Sequence, residues 1–205
     1  MTAVRQKIAI DIDDVVSSQT DMIFQFSKEK LGLDLTWDDM MTPGEYWGYY
    51  ESVWKRKGQS GAELFSQFLE EKYPLRQVID PQTVAALRYL KHNYQLEIIT
   101  SRGVDYQEGT IKWLEEHVPG LFDQVHFVDM WHQADERATK AKICQEIGAG
   151  YLIDDSPEHC NLAAESGVQA LLFGRFGWNI GAKLHPGVDR VTNWQEVVDY
   201  FDGQN

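Results

Sequence analysis

Long apolar runs and cysteines are scarce in this sequence, and both absences narrow what the protein can be. No stretch approaches the roughly 18 consecutive apolar residues that a membrane-spanning helix needs. The segment Met1–Lys7 is short and polar, unlike a signal peptide or a transit peptide. The two cysteines, Cys144 and Cys160, lack metal-ligand spacing and are expected to be reduced, buried thiols. Together these features predict a cytoplasmic protein that has no membrane-spanning segment.

Basic residues are also in deficit. The 205 residues include 19 Lys and Arg against 32 Asp and Glu, which gives a formal net charge of -13. A surface this acidic repels a polyphosphate backbone, which argues against duplex nucleic acid as a partner. It also repels small phosphorylated ligands at long range. A phosphate site would therefore need a metal ion and a Lys or Arg to correct the charge locally.

What the sequence does contain is an apolar strand that ends in carboxylates. Residues 8–16 read Ile-Ala-Ile-Asp-Ile-Asp-Asp-Val-Val, and the β-branched, apolar start predicts a buried strand. Because unpaired charge cannot be buried, we expect Asp11, Asp13 and Asp14 where the strand ends and a crevice opens. Asp11 and Asp13 are two residues apart, so extended backbone directs both side chains to one side. Converging carboxylates favour a hard cation with oxygen ligands.

The rest of the chain alternates between predicted strands and helices, with one exception. Strands are predicted at residues 96–99, 125–128, 151–153 and 168–173, and intervening helices indicate a doubly wound parallel sheet. The exception is an aromatic-rich region without a strand pattern, which predicts a helical cap over the crevice. The expected domains are an α/β core of residues 1–18 and 78–205 and a helical cap of residues 19–77.

Polar residues follow the predicted strands, and a parallel sheet brings all of its carboxyl ends to one edge. They are Asp11 and Asp13, then Thr100, Ser101 and Arg102, then Asp129, and finally Asp154 and Asp155; Lys140 and Lys142 begin the helix before the last pair. Hydrolysis of phosphate monoesters needs such a set. Carboxylates can bind Mg²⁺, attack phosphorus and transfer protons, while a hydroxyl and a lysine hold the phosphoryl oxygens.

These segments resemble, in order, the four motifs of the haloacid dehalogenase (HAD) superfamily. The matching positions are residues 8–15, residues 98–101, Lys140 three residues before Ile143-Cys144, and residues 152–155. Within that superfamily the chain looks like the 5'(3')-deoxyribonucleotidase branch. That narrower resemblance rests on the Leu-Ile-Asp-Asp ending of the fourth motif, the helical region after the first motif and the late segments 173–179 and 193–197.

The resemblance implies a fold, an activity and a set of roles. The fold is a Rossmann-like α/β core with a small helical cap inserted after the first strand. The implied activity is that of a Mg²⁺-dependent phosphomonoesterase that forms an aspartyl-phosphate. Its substrate is a small phosphorylated molecule, for which a (deoxy)ribonucleoside monophosphate is the best candidate. The resemblance makes Asp11 the nucleophile and a metal ligand, and Asp13 the general acid/base, whose backbone carbonyl also binds the metal. Thr100 and the Ser101 N–H contact the phosphate, and Lys140 neutralises its charge. Asp154 and Asp155 lie at the metal.

Several residue assignments stay open at this level. Lys140 and Lys142 lie in the first turn of one helix, and only the family spacing favours Lys140. Arg102 is assigned to substrate contact, with a plain surface position as the alternative. Tyr46 and Trp47 are candidates for stacking on a nucleobase, although an aromatic cap that packs on its own core explains them as well.

Other functions also have to be weighed. The acidic cluster lacks the glycine and the distal glutamate of an EF-hand loop. It also differs from a receiver domain, because its second acidic pair follows the lysine. The remaining alternatives are a phosphatase for another metabolite, such as a sugar phosphate, and a non-catalytic protein that binds a phospho-ligand. A homodimer is a further expectation.

Overall fold

The computed structural model describes residues 5–41, 43, 53, 54, 60–128 and 139–203. The chain divides into two compact units. The sheet unit comprises residues 1–17, 79–174 and 183–205, and the helical unit comprises residues 18–78 and 175–182. None of the helices in the described ranges has the length and apolar character needed to cross a membrane.

The sheet unit is built on six parallel strands in the order β3-β2-β1-β4-β5-β6. The strands are β1 (Lys7–Ile10), β2 (Gln95–Thr100), β3 (Gln124–Phe127), β4 (Ala149–Asp154), β5 (Gln169–Phe173) and β6 (Val188–Val191). The strand order reverses between β1 and β4. In a doubly wound sheet this switch point opens a crevice outside the carboxyl ends of the strands. The predicted doubly wound parallel sheet is confirmed.

The helices in the described ranges are α1 (Gln19–Leu31), α2 (Gly61–Glu70), α3 (Pro81–Lys91), α4 (Gln107–His117), α5 (Lys140–Ile147), α6 (Pro157–Glu165) and α7 (Trp194–Asp202), with 3₁₀ turns at Trp37–Met40, Tyr73–Arg76 and Val104–Tyr106. Helices α3 to α7 belong to the sheet unit and cover both faces of the sheet. One core contains Ile8, Ile10 and Ile98 with the apolar faces of α3, α4 and α7. The other contains Ala9 and Leu152 with those of α5 and α6. Alternate strand residues point to opposite faces, which is why both faces are apolar.

The helical unit has its own aromatic core. Phe26 of α1 packs edge-on against Trp54, Phe68 and Tyr73. The Trp54 indole N–H donates to Ser27 Oγ at 2.9 Å, so the one polar group of this buried ring is satisfied. Trp178 is buried in the same cluster. Its packing explains why residues 175–182, which the sequence assigned to the core, group with the helical unit.

The sequence did not predict strand β6. Its four residues, Val-Asp-Arg-Val, bury only the two valines, so the segment has no continuous apolar run. It lies at the edge of the sheet, where exposed charged residues are common. The predictions for Tyr46, Trp47 and Asp129 fall outside the described residues.

Candidate active site

The site begins at the switch point of the sheet. Asp11 follows β1 directly, and its backbone N–H donates to the carbonyl of Ile153 in β4 at 3.0 Å. Asp154 is the last residue of β4. The two carboxylates are therefore carried by neighbouring strands at the point where a doubly wound sheet opens its ligand crevice.

The loop after β1 folds back on a single carbonyl. Three successive backbone N–H groups, from Val15 to Ser17, reach Ile12 O at 3.3, 2.9 and 3.1 Å. Asp14 has a φ of 60° inside this turn, a left-handed conformation that Asp adopts more readily than most residues. Asp14 is buried together with Asp11. The tight turn thus keeps the carboxylates of the first segment close to the strand end.

Helix α5 delivers one lysine to these acids. Thr139 caps the helix by accepting from the Lys142 N–H at 3.1 Å, which makes Lys140 the first helical residue. Lys140 Nζ lies 2.8 Å from Asp11 Oδ1 and donates to Asp154 Oδ2 at 2.7 Å. Lys142, two positions further on, is exposed. Of the two lysines that the sequence left open, Lys140 is therefore the one that contacts these acids, and its contact with a phosphate stays a prediction.

A third buried carboxylate completes an oxygen cluster that suits a metal ion. Asp11, Asp154 and Asp155 each offer one oxygen, and these atoms lie within 4.8 Å of one another. Carboxylate oxygens without sulfur or imidazole ligands are the donor set that Mg²⁺ prefers. The residues present therefore fit the divalent cation that the sequence predicts.

The carboxylates of this cluster titrate very differently. Burial raises the pKa of Asp11 from 3.8 to about 6, against the opposing attraction of Lys140. Burial, followed by the charges of Asp154, Asp11 and Asp14, raises the pKa of Asp155 well above its usual value. Burial would also raise the pKa of Asp154, but Lys140 and His159 outweigh it and lower that pKa. Lys140 has to neutralise more negative charge than one cation carries, which is the condition that a bound divalent ion relieves.

Asp154 is held from three sides. Besides Lys140, its Oδ1 accepts from the Ser156 N–H at 2.9 Å and lies 3.2 Å from His159 Nδ1. His159 belongs to the first turn of α6, whose cap is Ser156. Sequence reasoning assigned no role to His159. The available signal was its spacing of five residues after Asp154, across a predicted helix start.

The hydroxyls at the end of β2 differ in their partners. Thr100 is buried, and its Oγ1 accepts from the Arg102 N–H at 3.3 Å. Ser101 Oγ is also shielded from solvent, and it has no hydrogen-bond partner within the described part of the chain. A buried hydroxyl without a partner is costly. Ser101 therefore has hydrogen-bonding capacity left over at a strand end next to β1.

Asp13 and Arg102 lie in a separate contact. The guanidinium donates through Nε to Asp13 Oδ2 at 2.9 Å and through Nη2 to Asp13 Oδ1 at 2.7 Å. The Asp13 side chain is not one of the three that form the oxygen cluster. Its assigned metal contact is through the backbone carbonyl and stays a prediction, as does the assigned substrate contact of Arg102.

Comparison with known proteins identifies the family. The family model for 5' nucleotidase, deoxy (pyrimidine), cytosolic type C protein matches residues 5–202. The chain belongs to this family. It is thus a phosphoric monoester hydrolase of the HAD superfamily, as the four motifs predict. No curated protein matches the chain significantly.

Solved structures show the same fold at low identity. The HAD-like hydrolase SP0104 of Streptococcus pneumoniae aligns over 98% of this chain and 100% of its own, at 18% identity and a TM-score of 0.63. The HAD hydrolase YfnB of Bacillus subtilis, solved with magnesium, covers 97% and 99% at 12% identity and 0.62. A Thermotoga maritima protein named as a β-phosphoglucomutase covers 97% and 99% at 14% identity and 0.62. At these identities the likeness carries the fold alone.

Proposed function

We propose that this protein is a Mg²⁺-dependent phosphomonoesterase that hydrolyses nucleoside monophosphates through an aspartyl-phosphate on Asp11. The observation that carries the proposal is the placement of Lys140 between Asp11 and Asp154, with Asp155 in the same oxygen cluster. A purely structural ion pair has no need of this surplus of buried carboxylates. A site that receives a cation and a phosphoryl group does need it.

In the first half of the reaction, an Asp11 carboxylate oxygen attacks phosphorus and the bond to the leaving oxygen breaks. Asp13 gives its proton to that oxygen, so the substrate leaves as an alcohol. Lys140, the Thr100 hydroxyl and the Ser101 N–H hold the phosphoryl oxygens as charge develops on them. Ser101 Oγ, which has no hydrogen-bond partner among the described residues, is a further donor at this strand end.

In the second half, water attacks the phosphorus of the aspartyl-phosphate. Asp13 takes the proton, the Asp11 carboxylate is regenerated and inorganic phosphate leaves. Asp11, Asp154 and Asp155, with the Asp13 carbonyl, would hold Mg²⁺, which supplies charge neutralisation and orientation for the phosphoryl group. Lys140 stays paired with Asp11 and Asp154 in the resting site and shields the nucleophile from the other acids.

The family supports a nucleotide as substrate, since its name specifies a pyrimidine deoxynucleotidase. One structural relative named as a β-phosphoglucomutase makes a sugar phosphate the second candidate. A cytoplasmic location and a homodimer remain predictions. The predicted contacts of Tyr46 and Trp47 with a nucleobase also remain so.

The proposal is tested by phosphate release from a panel of nucleoside monophosphates, sugar phosphates and an aryl phosphate, with Mg²⁺ or with a chelator. We expect the highest kcat/KM on a deoxynucleotide, no turnover in chelator, and loss of at least about 10³-fold in Asp11→Asn. The matched control is Asp199→Asn, because Asp199 is an exposed acid on α7. Turnover that persists in Asp11→Asn, or that does not need the metal, would overturn the mechanism. A preference for sugar phosphates would overturn only the substrate assignment.

A further inference from the structure

Arg102 is a buried arginine whose whole side chain is engaged by protein groups. Its side chain is 5% exposed and that of its partner Asp13 is 14% exposed. Two of its nitrogens donate to the two Asp13 oxygens, and the third, Nη1, donates to Thr110 Oγ1 at 3.3 Å. The guanidinium carbon lies 5.5 Å from the centre of the Trp113 ring. Helix α4 therefore fixes the arginine from behind, through Thr110 and Trp113.

This geometry constrains Asp13 more than a single contact would. A two-pronged guanidinium–carboxylate pair fixes both the position and the plane of the carboxyl group. A buried guanidinium–carboxylate pair adds little to the stability of the fold, because the desolvation of two charges offsets most of their attraction. The pair joins residues 89 positions apart in the sequence, at the loop that carries the proposed nucleophile. The contact therefore points to a requirement of the site rather than of the fold.

We propose that Arg102 is a positioning residue for Asp13 in the second half of the reaction. It holds the carboxyl group of Asp13 in a fixed plane, where that group receives the proton of the attacking water. The inference rests on the proposed function, because it assumes the aspartyl-phosphate on Asp11. It also differs from the assigned substrate contact, because Arg102 would act through Asp13, to which two of its three guanidinium nitrogens donate.

In the step that Arg102 serves, a new bond forms between the water oxygen and phosphorus, and the bond between phosphorus and the Asp11 oxygen breaks. The electron pair returns to Asp11 as carboxylate, and the water proton moves to an Asp13 oxygen. Asp13 then gives that proton to the leaving oxygen of the next substrate. No oxidant, reductant or further reactant is needed.

The experiment measures the two halves separately with p-nitrophenyl phosphate and Mg²⁺. Nitrophenolate leaves without protonation, so the first half does not need Asp13, whereas the second half does. We expect Arg102→Gln to release about one equivalent of nitrophenolate per enzyme in a rapid burst and then to turn over about 10–100-fold more slowly than the wild type. Arg102→Lys keeps the charge but cannot make the two-pronged contact with Asp13, so its steady rate should lie between those of Arg102→Gln and the wild type.

A double-mutant cycle separates positioning from a structural role. If Arg102 acts through Asp13, then Arg102→Gln should cost little in a protein that already carries Asp13→Asn. The control is Lys112→Gln, which removes an exposed cation from α4 and should leave the rate unchanged. Thermal unfolding of each variant shows whether it folds. If Arg102→Gln does not fold, the same cycle is closed with Arg102→Lys, measured with and without Asp13→Asn.

Three outcomes would overturn the role of Arg102: an unchanged steady rate in Arg102→Gln, a slower rate without a burst, or the same loss with and without Asp13. The failure of the proposed function looks different. In that case the wild type itself releases no phosphate from any nucleoside monophosphate, sugar phosphate or aryl phosphate, or Asp11→Asn retains its turnover.

Discussion

Two of the buried charge clusters in the described part of the sheet unit contain similar residues and serve opposite purposes. The acid cluster consists of Asp11, Asp154 and Asp155 with Lys140. The Glu97 cluster consists of one carboxylate with two partners, Lys7 Nζ at 2.8 Å from Oε1 and His126 Nε2 at 2.7 Å from Oε2. Both bury a carboxylate against a lysine, so burial of an ion pair does not by itself mark a functional site.

The clusters differ in charge balance and in position. Each Glu97 oxygen has one partner, and those partners reach solvent, with Lys7 29% exposed. In the acid cluster, Lys140 is buried and its one charge faces several carboxylates, which is why the pKa of Asp155 is raised by burial and then by its acidic neighbours. The Glu97 cluster begins within β2, and the acid cluster lies where β1 and β4 end. A surplus of one sign at the carboxyl edge of the sheet is therefore the better marker of function.

The comparison predicts its largest difference between the two lysines. In metal-free protein, Lys140→Met leaves two buried carboxylates without their cation and should lower the free energy of unfolding by about 3–5 kcal/mol. It should also lower turnover by at least about 10²-fold. Lys7→Met should cost about 1 kcal/mol or less, because Lys7 is partly solvated and His126 remains. Urea unfolding in chelator measures both, and equal losses would remove the distinction.

Magnesium should distinguish the clusters next. At about 100 times its dissociation constant, a cation that binds only the folded state adds about 2.7 kcal/mol. For a chain of this size that corresponds to a rise of roughly 5–10 °C in Tm. Asp155→Asn removes one negative charge from the proposed ligand set and should lose most of this rise, whereas Glu97→Gln should keep it. The measurement is a thermal scan over a Mg²⁺ titration, and a full rise in Asp155→Asn would contradict the assigned site.

Sequence patterns predicted most residues of the acid cluster but did not predict the contact between Asp13 and Arg102. Asp11 and Asp154 are predictable because period and composition locate the ends of β1 and β4, and the parallel sheet brings those ends together. Lys140 needed the family spacing or the structure, since Lys142 shares its helical turn. The Asp13–Arg102 fork depends on where α4 packs, and no local pattern reports that. Strand β6 was missed for the same reason, since its place follows from its neighbour β5 and not from its own residues.

In the metal-free protein, the acid cluster should also make the free energy of unfolding depend on pH. Burial raises the pKa of Asp11 from 3.8 to about 6, so between these values the folded state keeps a proton that the unfolded state has lost. The contribution of Asp11 to the free energy of unfolding is therefore fully present below about pH 4 and is lost as the pH rises through about 6. The raised pKa of Asp155 adds in the same direction. The lowered pKa of Asp154 acts in the opposite direction, but only below about pH 5, where this carboxyl group begins to bind a proton in the unfolded chain.

We expect the free energy of unfolding in chelator to fall by about 1 kcal/mol or more between about pH 5 and pH 7.5. Saturating Mg²⁺ should flatten or reverse the slope, because the cation favours the ionised carboxylates. Asp11→Asn should reduce the slope and Glu97→Gln should leave it unchanged. Denaturant unfolding at several pH values tests this, and a stability that rises with pH in chelator would be the contrary result.

The smallest effect should come from Glu97 itself. Glu97→Gln keeps an acceptor for Lys7 but removes the charge, and both former partners can turn to water because each is partly exposed. The expected cost is about 1 kcal/mol of unfolding free energy, the scale of one hydrogen bond. Turnover and the Mg²⁺ midpoint should stay within about twofold of the wild type, since the acid cluster is untouched. A loss of turnover of tenfold or more in Glu97→Gln would mean that the Glu97 cluster also serves the reaction. A surplus of negative charge at the strand ends would then not distinguish a functional cluster from a structural one.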